Sequence, residues 1–285
     1  MISKTLKVLF ALSLLGVLCI SCNSVSKSHP ENKVDYDSIS VEKTYHLLDN
    51  PDNPNCDLHI KFVYPSSVKD ISLQDIQQFF VTSYFGDAYE KLSPEDAVKK
   101  YTQDYLNSYK ELEADYKEEL KRSEDGAPVS SWFSYYELSS NEINFNQYGV
   151  ISYTVNFENY TGGAHGSHAH NHFVLSAETG KQINEEDIFI ENYEEALAEI
   201  LVNQIAKENN AANPKELENM GFFSVEEIFP NNNFMIDNTG ITYTFNEYEI
   251  AAYAVGAIEV HLPFEALQNI LKEESPITKL VASQL

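Results

Sequence analysis

The sequence predicts an α+β protein, with antiparallel sheets, helices packed on one face, and two subdomains. Period-two alternation such as Leu58, Ile60 and Phe62 marks strands with one buried face. A three-and-four spacing through Val98, Tyr101, Tyr105, Tyr109, Leu112, Tyr116 and Leu120 marks a long helix. The strands come in meanders and the helices are segregated from them, which separates this class from alternating α/β folds. At 43% hydrophobic and 12% aromatic, the 285 residues can bury a substantial core. A disordered acidic chain is thereby ruled out.

Residues 40–47 and 57–63 read as strands. Asp49-Asn50-Pro51-Asp52-Asn53-Pro54 separates them as a turn. Ser72 can cap a helix carrying Leu73, Ile76, Phe79 and Phe80. Ser93-Pro94-Glu95-Asp96 starts the second helix with a cap, proline in the first turn and acids at the positive end of the dipole. That helix is expected to run to Lys121-Arg122. Its tyrosine stripe is read as core packing with hydroxyls at the rim. Gly126-Ala127-Pro128 ends the helical pattern. Strand signals follow over 129–138, 142–146, 149–157 and 171–177, with a hairpin at Gln147-Tyr148-Gly149. Residues 185–189 open toward a helix faced by Leu197, Ile200, Leu201 and Ile205. The tail adds strands near 234–237, 241–245 and 257–262, then a helix from Pro263.

The N-terminus points to export. Lys4 and Lys7 precede an apolar run, Val8 to Leu18, that is long enough for a signal peptide and too short to span a bilayer. Cys19-Ile20-Ser21-Cys22 then resembles a bacterial lipobox, with Cys22 as the lipidated residue. An ordinary signal peptide with an incidental cysteine is the competing reading. The expected organisation is a signal peptide over 1–21, a lipid-anchored tether over 22–35, and α+β domains over 36–160 and 161–285. Loss of Cys19 with the signal and lipidation of Cys22 leave only Cys56. The mature domain then has no intramolecular disulfide.

The net charge of −25 becomes −27 once Lys4 and Lys7 leave with the signal. Such a field repels phosphate backbones, so nucleic acid is excluded as a partner. It attracts cations and basic proteins.

The densest chemical feature is Gly162-Gly163-Ala164-His165-Gly166-Ser167-His168-Ala169-His170-Asn171-His172. In an extended segment His168, His170 and His172 share one face, a possible zinc or copper set. A solvated histidine-rich strand is the alternative. The glycines suit a bulge or sharp strand exit, and their spacing does not match a phosphate loop. No Gly-x-Ser-x-Gly elbow is present, so serine-hydrolase chemistry has no motif. Cys56 is read as a passive thiol.

Tyr160-Thr161-Gly162-Gly163-Ala164-His165-Gly166, Thr179-Gly180-Lys181, Asp187-Ile188-Phe189 and the run from Phe245 to Gly256, which contains Tyr248-Glu249-Ile250-Ala251, carry a family resemblance. Together with Phe62-Val63-Tyr64-Pro65 they resemble the extracytoplasmic domain pair, of unknown function, shared by the anti-sigma factor RsiV and the non-catalytic part of the deacetylase PdaC. The resemblance spans roughly residues 36–267. It implies an N-terminal domain like that of PdaC and a C-terminal domain like the lysozyme-binding ectodomain of RsiV. No sigma-binding segment is expected before the anchor, and no deacetylase domain is expected before Leu285. The motif residues Tyr160, Gly162, Gly163, His165, Gly166, Tyr248 and Tyr253 become the ligand-binding candidates. No catalytic residue is assigned and no cofactor is expected. The functional expectation is a lipid-anchored envelope module that binds a protein or peptidoglycan-related ligand. A metal-binding envelope protein is the alternative, and an enzyme acting on cell wall has no supporting motif.

Overall fold

A computed structural model describes residues 31–123 and 130–284. The signal peptide, Cys19, the lipidation candidate Cys22 and most of the tether lie outside the described residues. The class is α+β, with one five-stranded and one three-stranded sheet.

The large sheet has the order β1 (Val34–His46), β2 (Asn55–Val68), β3 (Tyr135–Gln147), β4 (Val150–Tyr160), β5 (Ser167–Ser176). Between β2 and β3 run α1 (Leu73–Phe85), α2 (Pro94–Glu111) and α3 (Glu113–Arg122). This long crossover makes β2 and β3 parallel, a departure from the all-antiparallel expectation. The other pairs in the sheet are antiparallel.

The caps form as their residues dictate. Ser72 accepts from the Asp75 amide and Ser93 from the Asp96 amide. The tyrosine-striped helix is two segments, because the chain bends at Leu112 (φ −68°, ψ −13°). Tyr109 and Tyr116 are buried, with hydroxyls donated to Phe133 O and Asn53 Oδ1. The β3–β4 turn places Tyr148 (φ 56°) and Gly149 (φ 83°) in the left-handed region that two-residue hairpins need.

The tether is shorter than expected. Asn32 ties the chain to the β3–β4 hairpin, donating to Asn146 Oδ1 and Val150 O and accepting from the Gly149 amide. Strand β1 already begins at Val34.

The C-terminal half adds α4 (Glu185–Ile188), α5 (Glu194–Glu208), β6 (Phe234–Ile236), β7 (Gly240–Phe245), β8 (Ile258–Pro263), α6 (Phe264–Leu267) and α7 (Thr278–Gln284). Strands β6, β7 and β8 form the antiparallel small sheet. Among the described residues no helix is long and apolar enough to cross a membrane.

Two main cores coincide with the two faces of the large sheet. On one face Leu58, Ile60, Phe62, Ile151, Tyr153 and Val155 pack against α1 and α2. On the other, Phe145, Val150 and Val174 join the core of α5 and the small sheet. The boundary expected at 160/161 therefore needs correction. It falls in the β4–β5 hairpin, whose strands pair from Val150↔Ser176 to Asn159↔Ser167, so β5 belongs to the N-terminal sheet.

The second face is only partly covered. The C-terminal body sits over Val150, Ser152, Val174 and their neighbours, where Ser152 Oγ accepts from the Ile236 amide. The remainder, toward Tyr160 and Ser167, stays open.

Candidate functional site

Strand β5 is an edge of the large sheet, and an unpaired edge leaves amides and carbonyls without partners. Here side chains of the C-terminal body supply them. Asn233 Oδ1 accepts from the His172 amide and Asn246 Oδ1 from the His170 amide. Glu247 Oε2 lies 3.4 Å from the His168 amide. Asn233 Nδ2 donates back to His170 O and also to Thr244 O. These side chains take the place of a sixth strand.

The three alternating histidines share a face as expected, but the structure gives each a different task. His168 Nδ1 donates to Glu247 Oε1 at 3.0 Å, and His170 Nδ1 to Asn156 Oδ1 at 2.7 Å. His172 is buried between Thr154 Oγ1 (2.8 Å) and Thr244 Oγ1 (2.7 Å). Thr154 donates its own proton to Asn144, so it accepts from His172 Nδ1, and Nε2 accepts from Thr244. Burial, with the nearby His170 adding to it, pushes the His172 pKa down to about 4. Both its nitrogens are used, so it offers no free lone pair to a cation. Among the described residues no group of three His, Cys, Asp or Glu side chains is arranged to hold a metal ion. The zinc or copper reading of His168, His170 and His172 is corrected accordingly: the alternation is right, but the rings do not converge.

The motif candidates do come together. Gly162 (φ 84°) and Gly163 (φ 107°) turn the chain after β4, in conformations that side chains disfavour. Tyr160 donates to Gly163 O. At Gly166 a Cβ would lie 2.9 Å from Asn159 O and 3.2 Å from the Tyr136 hydroxyl, so the close approach excludes a side chain. His165 then meets the second motif across 83 residues. Its ring stacks on Tyr253 at 3.9 Å between centroids, and Tyr248 donates to its Nε2 at 3.3 Å. Tyr253 donates to Gly166 O, and its ring lies 5.6 Å from Tyr248. Tyr248 is itself in the left-handed region (φ 68°) and 57% exposed. Trp132, 58% exposed, borders Gly162, whose Cβ would approach Trp132 O to 3.1 Å. On the other flank the 220–223 loop pairs with the 250–252 segment, and Met220, Phe223 and Val255 are exposed.

The open part of the sheet face is a second feature, lying beside the first. One row of directly paired residues crosses all five strands: Glu42, His59, Leu138, Glu158 and His168. The next is Ser40, Lys61, Ser140, Asn156 and His170. They line a groove of about 450 Å³. Tyr136 and Tyr160, stacked at 6.2 Å, stand in the row just beyond, and Tyr136 donates to Glu158 Oε1.

Glu247 lies within the run from Phe245 to Gly256, whereas Glu42, His59 and Glu158 carried no motif. Their signal was the polar half of each strand's alternation, as in Asp57, His59 and Lys61 opposite the buried Leu58 and Ile60. Cys56 is buried on the inner face, away from His59, and burial pushes its pKa up to about 11. That matches a passive thiol.

Two family models match the chain. One, described as a protein of unknown function (DUF3298), covers residues 186–265, and the other, described as deacetylase PdaC, covers residues 55–168. A solved member of the DUF3298 family from Bacteroides fragilis is 31% identical, with a TM-score of 0.82 over 89% of this chain and 99% of that one. The chain belongs to the DUF3298 family. A second DUF3298 structure, from Pseudomonas aeruginosa, is 14% identical with a TM-score of 0.58, covers 85% of this chain and 96% of that one, and speaks to the fold alone. No curated protein matches. The resemblance to a PdaC-like and DUF3298-like pair is thus shown. The DUF3298 match holds Tyr248 and Tyr253, whereas the PdaC match holds the glycine motif and extends to His168. The aromatic cluster joins the two matched segments.

Proposed function

We propose that this DUF3298 protein is a binding or sensing module of the bacterial cell envelope, tethered by lipid at Cys22, whose ligand is a protein or a cell-wall component. A lysozyme-like hydrolase is the concrete candidate. The observation that carries the reading is the exposed cluster of His165, Tyr248 and Tyr253, assembled from two distant motifs and held by hydrogen bonds. Exposed aromatic side chains in fixed positions make good interface anchors, because they bury much area at little entropic cost. The turn conformation of Tyr248 favours small or Asx residues, so keeping a tyrosine there is unfavourable for the fold and suits a contact role.

Charge supports a basic partner. The cluster is flanked by Glu158, Glu247 and Glu249 in a chain of net charge −25. Such a field speeds encounter with a cationic protein and makes it sensitive to salt. The test is binding of untagged protein to a panel of lysozymes at low and high salt, beside Tyr248→Ala. Binding that weakens with salt and by at least about tenfold in the variant supports the reading. No binding to any lysozyme at low salt sinks the hydrolase version.

A further inference from the structure

We propose that the open groove on the large sheet is a binding site for an uncharged oligosaccharide laid across the strands. It is a site separate from the aromatic cluster, and it stands whether or not that cluster binds a hydrolase.

The first row holds a repeated gap. At one end of the first row His59 Nδ1 lies 3.9 Å from Glu42 Oε1. At the other, His168 Nε2 lies 3.8 Å from Glu158 Oε1. Both separations are too long for a direct hydrogen bond, which leaves these groups open to sugar hydroxyls. At the His59 end a sugar hydroxyl can accept from a ring N–H and donate to the Glu42 carboxylate. At the His168 end, where Nδ1 already donates to Glu247, Nε2 and Glu158 Oε1 both accept, and two neighbouring sugar hydroxyls can donate one to each. Leu138, 39% exposed, lies between the two gaps and offers an apolar contact for the C–H face of a sugar ring.

The spacing sets the ligand's length. The two gaps are centred between β1 and β2 and between β4 and β5, three strand spacings apart. At about 4.8 Å per strand this is about 14 Å, which calls for a short chain rather than one ring. Along that path Ser140 and Asn156 add donors and acceptors in the neighbouring row on one side, and the stacked Tyr136 and Tyr160 flank the other. The groove's volume of about 450 Å³ is in the range of ligand sites.

The β4–β5 end of the groove is also set before any ligand arrives. Glu247, reaching over from the C-terminal body, holds His168 Nδ1 at 3.0 Å and so fixes which nitrogen faces Glu158. Asn156 holds His170, and Tyr136 holds Glu158. Side chains already fixed lose little entropy on binding.

Charge narrows the class. The two rows carry Glu42 and Glu158 against Lys61, within a chain of net charge −25, so a polyanionic glycan is repelled. An apolar ligand would leave the carboxylates and the Lys61 ammonium desolvated without partners.

The experiment is calorimetric titration of the full chain with chitotetraose and cellotetraose, both uncharged, and with an anionic hyaluronan tetrasaccharide. Saturable binding of at least one uncharged sugar is expected, with hyaluronan weaker by at least about tenfold. His59→Ala/His168→Ala and, separately, Leu138→Ser should each weaken binding by at least about tenfold, while Tyr248→Ala leaves it unchanged. Thermal melts of the variants check that loss of binding is not loss of fold. The proposal is overturned if neither uncharged sugar binds at millimolar concentration, if hyaluronan binds as well as they do, or if correctly folded groove variants bind like the parent. Loss in Tyr248→Ala alone would move the sugar to the aromatic cluster and overturn this site.

Discussion

His172 is 6% exposed and links three parts of the molecule, with Thr154 on β4 at one nitrogen and Thr244 on β7 at the other. Burial pushes its pKa down from 6.5 to about 4. A histidine whose folded pKa is lowered stays neutral in the fold while the unfolded chain takes up a proton. Stability is therefore complete above about pH 6.5 and falls as the pH drops toward 4. At about 1.4 kcal/mol per unit, the loss attributable to His172 reaches about 2.5 kcal/mol by pH 4.5 and levels off at about 3.5 kcal/mol well below pH 4. The assay is urea unfolding of the protein and of His172→Gln at pH 7.5 and 4.5. Glu137 and Glu185, whose carboxyl pKa values burial raises, act with the opposite sign, but both proteins share them, so they cancel in the difference. The parent should lose about 2.5 kcal/mol more than the variant over this interval. Equal losses within about 0.5 kcal/mol would refute the account of a neutral, desolvated bridge.

Asn233→Ala removes the side chain that pairs with the His172 amide, His170 O and Thr244 O, and should cost about 2 kcal/mol or more in urea unfolding. Gly240→Ala places a Cβ 2.2 Å from Leu262 O, across the β7–β8 pair, and should cost more than about 3 kcal/mol or prevent folding, read as soluble yield and melting temperature. Gly166→Ala forces Asn159 O or the Tyr136 hydroxyl to move, with an expected cost of about 1–2 kcal/mol and a changed tyrosine fluorescence. Cys56 should resist a thiol-specific disulfide reagent at pH 8 in the native protein and react once urea unfolds it. Rapid native reaction would contradict its burial.

The glycine motif and the run from Tyr248 to Tyr253 stood out in the chain as candidate binding residues because they carry the family resemblance. That His165 stacks on Tyr253 was not visible, since it depends on packing that brings residues 88 apart within 3.9 Å. The histidine alternation was legible as a shared face. It left a metal site and a solvated strand both open until the partners Glu247, Asn156, Thr154 and Thr244 were in place. The break at Leu112 escaped the helical pattern because both segments keep their apolar spacing through it.

By itself the sequence determined what local chemistry decides: the capped helix starts at Ser72 and Ser93, the hairpin at Tyr148-Gly149, the α+β class and the negative field. Periodicity and turn residues act over a few positions, so they survive without knowledge of the fold. The tertiary structure decided the parallel β2–β3 pair, the assignment of β5 to the large sheet and the groove itself. A row such as Glu42, His59, Leu138, Glu158 and His168 exists only once strand register is set. Register depends on how the long crossover packs and on the turns, and the row becomes a groove only because the C-terminal body leaves that half of the face uncovered.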